Sequence, residues 1–147
     1  MPRVAKCTDI KFFFIYRLSQ QQEITMIAHT GLAVSNYAKS KEFYCAALAP
    51  LGYHNNMEFG ESAGFNDGTN TDFWIGKKKA VTPMHLAFEA KNRKQVEEFF
   101  AAALAAGGKD NGGPGYRDYW PGYFAAFIID PDGNNIEAVW YDYGKEK

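Results

Sequence analysis

Among the three histidines of this chain, His29 and His85 stand at the same point of a duplicated pattern. A shift of 56 residues (85 − 29) lays His29 on His85, Asn36 on Asn92, Phe43 on Phe99, Leu48 on Leu104 and Gly52 on Gly108. It also lays Ala46-Ala47-Leu48-Ala49 on the identical run Ala102-Ala103-Leu104-Ala105. Further on the shift becomes 65, because the second copy carries nine extra residues (65 − 56). Asp67-Gly68 then meets Asp132-Gly133, and Asp72 meets Glu137. Each copy therefore opens on an imidazole and closes on a carboxylate.

Those four groups define the chemistry on offer. Imidazole nitrogen and carboxylate oxygen are the ligands of divalent cations such as Zn, Ni, Co, Mn or Fe, and two histidines with one carboxylate suit any of these. Two equivalent imidazoles in a pseudo-symmetric fold can face one another across its axis. Burying such groups unpaired is costly, so four of them pointing into one groove would call for a cation. Along a strand, residues two apart share a face. His85, Ala87 and Glu89 would then share one face, as would Glu137 with Val139 and Asp72 with Trp74.

The elements that must position these groups are legible in the same pattern. Residues 27–34 read as a strand interrupted at Gly31. Asn92 is a good helix N-cap with Gln95 three residues on, as in a capping box. Val96, Phe99, Phe100, Ala103 and Leu104 follow the stripe of an amphipathic helix that Gly107-Gly108 ends. The first copy has Asn36 as cap, Phe43, Tyr44, Ala47 and Leu48 as stripe, and Pro50 and Gly52 as stop. Short strand-like segments follow each helix, with turns at Asp67-Gly68 and Asp132-Gly133. The expected fold is α+β: two tandem βαβββ modules, about 26–77 and 83–142, forming one curved mixed sheet with a concave groove and helices outside. Residues 1–25 read as an extension outside this single domain, 143–147 as a tail, and Met26 as close to the functional start.

Composition narrows the function. A formal charge of −1 argues against electrostatic binding of nucleic acid. Lys77-Lys78-Lys79 is the one basic run and reads as a solvated turn. Phe12-Phe13-Phe14-Ile15-Tyr16 is too short to span a bilayer, so no membrane role is expected. Cys7 and Cys45 give neither a disulfide framework nor zinc-finger spacing, and a reducing cytoplasm is the default compartment. Aromatic content of 16% suits a packed sheet and a ring-lined pocket for a small molecule.

The segments His29-Thr30-Gly31-Leu32-Ala33-Val34, Ser40-Lys41-Glu42-Phe43-Tyr44, Ala49-Pro50-Leu51-Gly52-Tyr53, His85-Leu86-Ala87-Phe88 and Asp130-Pro131-Asp132-Gly133-Asn134-Asn135-Ile136-Glu137 resemble the vicinal oxygen chelate superfamily, the glyoxalase, bleomycin-resistance and ring-cleaving dioxygenase group. The resemblance covers essentially residues 26–140. It implies one divalent metal ion held in the groove by His29, His85 and Glu137, with Glu137 also the catalytic base. Asp72 stands at the fourth ligand point, where glyoxalases usually carry the longer Glu. The resemblance further implies a homodimer, sometimes with the groove shared between chains.

Three functions fit this picture. One is a glyoxalase-like metal-dependent lyase or isomerase acting on a small oxygen-chelating substrate. A second is a non-haem iron dioxygenase, and a third is a non-catalytic protein that sequesters an antibiotic or other small molecule. Residues 109–123, which contain the nine-residue excess, are the expected specificity element, since loops on a rigid scaffold often carry binding groups. Gly112-Gly113-Pro114-Gly115 supplies a mobile turn, and Tyr119, Trp120 and Tyr123 supply rings. Arg117 could pair with a substrate carboxylate. Trp74, beside Asp72, is the candidate substrate-binding residue of the first copy.

Overall fold

The structure is a computed structural model and describes residues 27–144. The expected extension at 1–25 with its proposed start at Met26, and the last three residues of the tail, lie outside the described residues.

The fold is α+β and repeats as the sequence predicts. Module one runs β1 (Thr30–Val34), α1 (Tyr37–Leu48), a 3₁₀ turn (Ala49–Leu51), β2 (His54–Phe59), β3 (Ser62–Asn66) and β4 (Phe73–Lys77). Module two runs β5 (His85–Glu89), α2 (Arg93–Ala105), β6 (Lys109–Asp110), β7 (Gly115–Tyr116), β8 (Tyr123–Ile129) and β9 (Asn135–Tyr141). Hydrogen bonding keeps the modules' sheets distinct: one has the order β1-β4-β3-β2, the other β5-β9-β8-β6 with β7 also on β8. In each, the first strand pairs parallel to the last, which brings the opening histidine beside the closing strand.

Both helices start as their caps predict. The Asn36 side chain accepts from the Lys39 N–H at 3.1 Å, and that of Asn92 from the Gln95 N–H at 3.0 Å. The second cap is closed one residue further back than a standard box: Gln95 Oε1 accepts from the Lys91 N–H at 2.8 Å, not from that of Asn92. The α1 stripe is buried in full, but in α2 Leu104 turns 37% of its surface to solvent, and Val96, Phe99 and Ala103 carry the packing.

One core serves both modules. Edge-on rings run from Phe43 to Tyr44, Tyr44 to Phe73, Phe73 to Phe88 and Phe88 to Tyr53, with centroids 5.0–5.4 Å apart. Two of these contacts cross from module one to β5 of module two, each worth about 0.5–1.5 kcal/mol beyond burial. A polar latch crosses in parallel. The Asp132 carboxylate, in the β8–β9 turn, accepts from the backbone N–H and hydroxyl of Ser35 and from the Ser40 hydroxyl, just ahead of and within α1.

The glycine-rich insertion is pinned, contrary to the mobile turn expected from Gly112-Gly113-Pro114-Gly115. Asn111 N–H donates to Phe127 O at 3.1 Å, Phe127 N–H to Gly112 O at 2.8 Å and Arg117 N–H to Tyr123 O at 2.8 Å. Glycines here serve close approach as well as freedom at positive φ, and the insertion becomes an added edge on β8.

A different glycine fixes the module-one sheet. A Cβ at Gly64 would lie 2.6 Å from Thr71 Cγ2 and 2.9 Å from the Trp74 ring. Gly64→Ala must therefore displace Trp74, and a loss of about 1–3 kcal/mol is expected, as for overpacking. Urea unfolding would measure it, and an unchanged midpoint would mean that the ring moves freely.

Candidate functional site

The strongest constellation stands on the face of the module-two sheet that turns away from the helices. His85 opens β5 and Glu137 lies in the middle of β9, two residues along in register, because Ala87 pairs with Glu137. His85 Nε2 lies 3.0 Å from Glu137 Oε2. The pair is lopsided in burial: the Glu137 side chain is 2% exposed and that of His85 52%.

Each half of the pair is held from behind. His85 Nδ1 lies 3.1 Å from the carbonyl of Asn135, so this nitrogen must carry a proton to make a hydrogen bond. Its Nε2 lone pair is then directed at the carboxylate, an arrangement that requires a proton or a cation between them. On the other side, the Tyr123 hydroxyl donates a short hydrogen bond to Glu137 Oε1. Burial, and then this carboxylate, push the Tyr123 phenol well above its ordinary value, so it remains a donor. Oε2 is thereby the oxygen left to face His85. The Phe127 ring lies near the imidazole at 6.3 Å between centroids, and the Arg117 guanidinium covers Phe127 at 5.5 Å.

His29 and Asp72 are found in a second recess, of about 340 Å³, together with Tyr53 and residues Leu86, Ala87 and Glu89 of β5. Asp72 Oδ2 accepts from the Tyr53 hydroxyl at 2.9 Å, while Oδ1 is buried with no hydrogen-bond partner. Burial and the Asp72 bond raise the Tyr53 phenol well above the usual range. The four groups matched in the sequence thus fall in two places, each carboxylate with its own tyrosine. Among the described residues no three His, Cys, Asp or Glu side chains are grouped closely enough to hold a metal.

The strand register also revises the pairing of the carboxylates. Gly31 pairs with Trp74 as Ala87 pairs with Glu137, so Trp74, not Asp72, is the module-one counterpart of Glu137. The cause is turn length: six positions separate Gly68 from Trp74 (74 − 68), but four separate Gly133 from Glu137 (137 − 133). Sequence alignment through the glycines cannot see two residues added after the turn.

The remaining candidates divide. Tyr123 points its hydroxyl at Glu137, and its ring meets Tyr119 and Tyr141 edge-on at 5.5 and 5.4 Å. Tyr119 and Trp120 are exposed. Arg117 gives hydrogen bonds to the carbonyls of Gly113, at 2.6 Å, and Tyr116, at 3.4 Å, which bind it into its own loop. Sequence reasoning missed Tyr53, Asn135 and Phe127. The two tyrosine hydroxyls could have been sought because a buried carboxylate needs donors. The Asn135 carbonyl leaves no sequence signal at all.

The donor chemistry of the His85–Glu137 pair fits a metal ion. An imidazole anchored through Nδ1 on a carbonyl presents Nε2 as a ligand in the correct tautomer. The adjacent carboxylate has one oxygen engaged by Tyr123 and the other facing His85 Nε2. Two protein donors fall short of the three or four that such ions usually take.

Comparison with known proteins follows the same line. The family model described as the Glyoxalase/Bleomycin resistance protein/Dioxygenase superfamily matches residues 26–138. Among solved structures, a glyoxalase/bleomycin resistance protein from Albidiferax ferrireducens T118 is 30% identical, over 79% of this chain and 98% of its own, with a TM-score of 0.70. A glyoxalase-related enzyme from Fulvimarina pelagi is 18% identical over 80% of this chain and 88% of its own, with a TM-score of 0.64. A glyoxalase/bleomycin resistance protein/dioxygenase family enzyme from Burkholderia phytofirmans PsJN is 14% identical over 80% and 99%, with a TM-score of 0.62. The last two likenesses speak for the fold alone. No curated protein matches this sequence.

Proposed function

We propose, from the premise that this chain belongs to the Glyoxalase/Bleomycin resistance protein/Dioxygenase superfamily, that it is a metal-dependent lyase or isomerase of glyoxalase type acting on a small oxygen-chelating substrate. The observation that carries this reading is the convergence of His85 Nε2 and Glu137 Oε2, 3.0 Å apart, with the far side of each group already engaged. His85 and Glu137 hold the ion, and His29 supplies the third protein ligand. Asp72 keeps one buried oxygen unpartnered on the His29 side, while Trp74 occupies the register point that matches Glu137. His29 stands just ahead of β1 in one sheet and His85 opens β5 in the other, so a homodimer that brings the His29 end of β1 in one copy to the His85–Glu137 pair of the other would unite them.

A bound divalent ion supplies Lewis acidity toward adjacent substrate oxygens. The protein's own part is proton transfer and positioning. Glu137, poised at Oε2, is the base, and a positioned carboxylate typically contributes about 10²–10⁴-fold to such a step. Tyr123 keeps that carboxylate in one rotamer, and the rings of Tyr119 and Tyr141, packed edge-on against Tyr123, offer apolar walls to the substrate beside it. Among the described residues, no helix is long and apolar enough to cross a membrane.

Metal analysis of the full chain purified without chelators tests the reading. About one divalent ion per chain is expected in the wild type and nearly none in His85→Ala. Activity toward the hemithioacetal of methylglyoxal, compared with catechols, then separates lyase from dioxygenase. Negligible metal, or metal unchanged by His85→Ala, overturns the metal-dependent reading. A non-catalytic binding protein would take its place, a role for which the tyrosines around Tyr123 already provide a wall.

A further inference from the structure

The outward face of the module-one sheet carries a cavity that the His85–Glu137 chemistry does not use. It measures about 290 Å³ and is lined by Gly31, Ala33, Ser62, Trp74, Gly76 and Lys78, with backbone from Leu32 and Ile75. Its shape follows from the register. Gly31 and Gly64 are the cross-strand neighbours of Trp74, and Gly76 pairs with Ala33 and Ser62. The positions that pair with Trp74 and Gly76 are therefore glycine, alanine or serine.

The indole leans one way across this floor. It lies over Gly64, where a Cβ would come within 2.9 Å of its six-membered ring, and stacks on Phe59 at 6.2 Å between centroids and 21° between planes. The opposite side is left open: a Cβ at Gly31 would meet nothing within 4 Å. Lys78 stands at the rim. Its neighbour Lys77 is paired with Glu61 at 2.6 Å, whereas Lys78 makes no ion pair among the described residues. One member of the basic run read as a solvated turn thus borders an aromatic-walled slot with its charge uncompensated.

We propose that this slot binds a planar aromatic anion, with the ring laid on Gly31, Ala33 and Gly76 against Trp74 and the anionic group directed to Lys78. The floor accepts a flat ring because it has no side chain larger than a methyl where the ring would lie. An apolar cavity of about 150 Å³ suffices for benzene, so this one has room for a fused bicyclic ring. Lys78 selects an acid over its neutral analogue. The site stands on module one and does not rest on the metal reading.

Calorimetric titration of the full chain with 2-naphthoate, against the neutral 2-naphthylmethanol, tests this directly. Binding of naphthoate is expected, with the indole N–H resonance of Trp74 shifting in the NMR spectrum. Trp74→Leu should weaken it about 2–10-fold, as loss of an aromatic pair does. Lys78→Met should weaken naphthoate about 2–5-fold, the range of an exposed ion pair, and leave the alcohol unchanged. Gly31→Val is the sharpest variant, because its Cβ meets nothing within 4 Å, its methyls project into the slot, and it adds a good strand former. It should weaken both ligands at least about tenfold, at the scale of overpacking, with the urea midpoint held or raised. Gly31→Ala gives a milder form of the same block should valine perturb folding. His85→Ala should leave naphthoate binding unchanged, which separates this site from the metal centre. Absence of binding at millimolar naphthoate, or binding indifferent to Gly31→Val and Trp74→Leu, overturns the proposal. So does a Trp74 resonance that responds to protein dilution but not to naphthoate, which would mean that a second copy of the chain covers this face.

Discussion

Glu137→Gln should abolish the proposed metal binding and lower any metal-dependent rate by about 10²–10⁴-fold, the usual contribution of a positioned acid–base carboxylate, while the fold survives. The substitution preserves shape and keeps an oxygen for the Tyr123 hydroxyl. Its amide group can donate to His85 Nε2, which lies 3.0 Å from the present carboxylate oxygen. The negative charge at a position only 2% exposed is removed, and because the amide still hydrogen-bonds to both neighbours, neither the phenol nor the imidazole is left unpaired. The change in folding free energy should therefore stay within about 1 kcal/mol. The comparison variant is Tyr123→Phe, which keeps the carboxylate but leaves Oε1 without its donor. It should weaken metal binding about 10–100-fold, as loss of an outer-shell partner does, and spare more of the rate. Metal content by mass spectrometry and turnover on the hemithioacetal read both effects. Full metal occupancy in Glu137→Gln would remove the carboxylate from the site.

How much of this could be read from the chain alone depends on the range of the interactions. Helix caps and stripes are local, and Asn36, Asn92 and the buried run Phe43, Tyr44, Ala47 and Leu48 behaved as their spacing predicts. The repeat also located the two histidines at the mouths of β1 and β5. Register is set by turns, however, and two residues added after Gly68 moved Trp74 into the place expected for Asp72. A glycine-rich stretch read as mobile proved to be hydrogen-bonded to β8 on both sides of Phe127, because glycine permits close backbone approach as readily as it permits motion. The partners that orient the candidate ligands lie outside the motifs. One is a main-chain carbonyl, at Asn135, which every residue type possesses.

A second substitution tests whether the two modules act as one folding unit. Asp130 is 4% exposed and accepts four hydrogen bonds: from the Tyr44 hydroxyl at 2.6 Å, the Asp132 N–H at 2.9 Å, and the Asn134 N–H and side-chain amide, both at 2.8 Å. Three of these close the β8–β9 turn, and the fourth comes from α1 of the other module. Asp130→Ala leaves a buried phenol and a buried amide without an acceptor, each costing about 1–3 kcal/mol. A loss of about 3–5 kcal/mol is expected, a large share of the roughly 5–15 kcal/mol that holds a domain together. At about 2–4 °C per kcal/mol, melting should fall by about 6–20 °C. Tyr44→Phe, which removes only the cross-module donor, should cost about 1–2 kcal/mol.

The pH dependence separates the latch from simple packing. Burial, followed by the charge and hydrogen bond of Asp130, raises the Tyr44 phenol well above its ordinary value near 10. A phenol raised in the folded state contributes fully below the unfolded value and loses that contribution as pH climbs past it, because the unfolded chain ionises first. Above pH about 10 the wild type should lose up to about 1.4 kcal/mol per pH unit through Tyr44. The Tyr44→Phe variant should lack that share, so its alkaline stability curve must be flatter. Tyr53 and Tyr123, also raised, should leave some alkaline sensitivity in place. Parallel curves for wild type and Tyr44→Phe would mean that the phenol is not held neutral by Asp130. Because the turn that Asp130 closes leads directly into β9, slackening it also loosens the strand that carries Glu137, and Asp130→Ala should lower metal affinity even at temperatures where the protein remains folded.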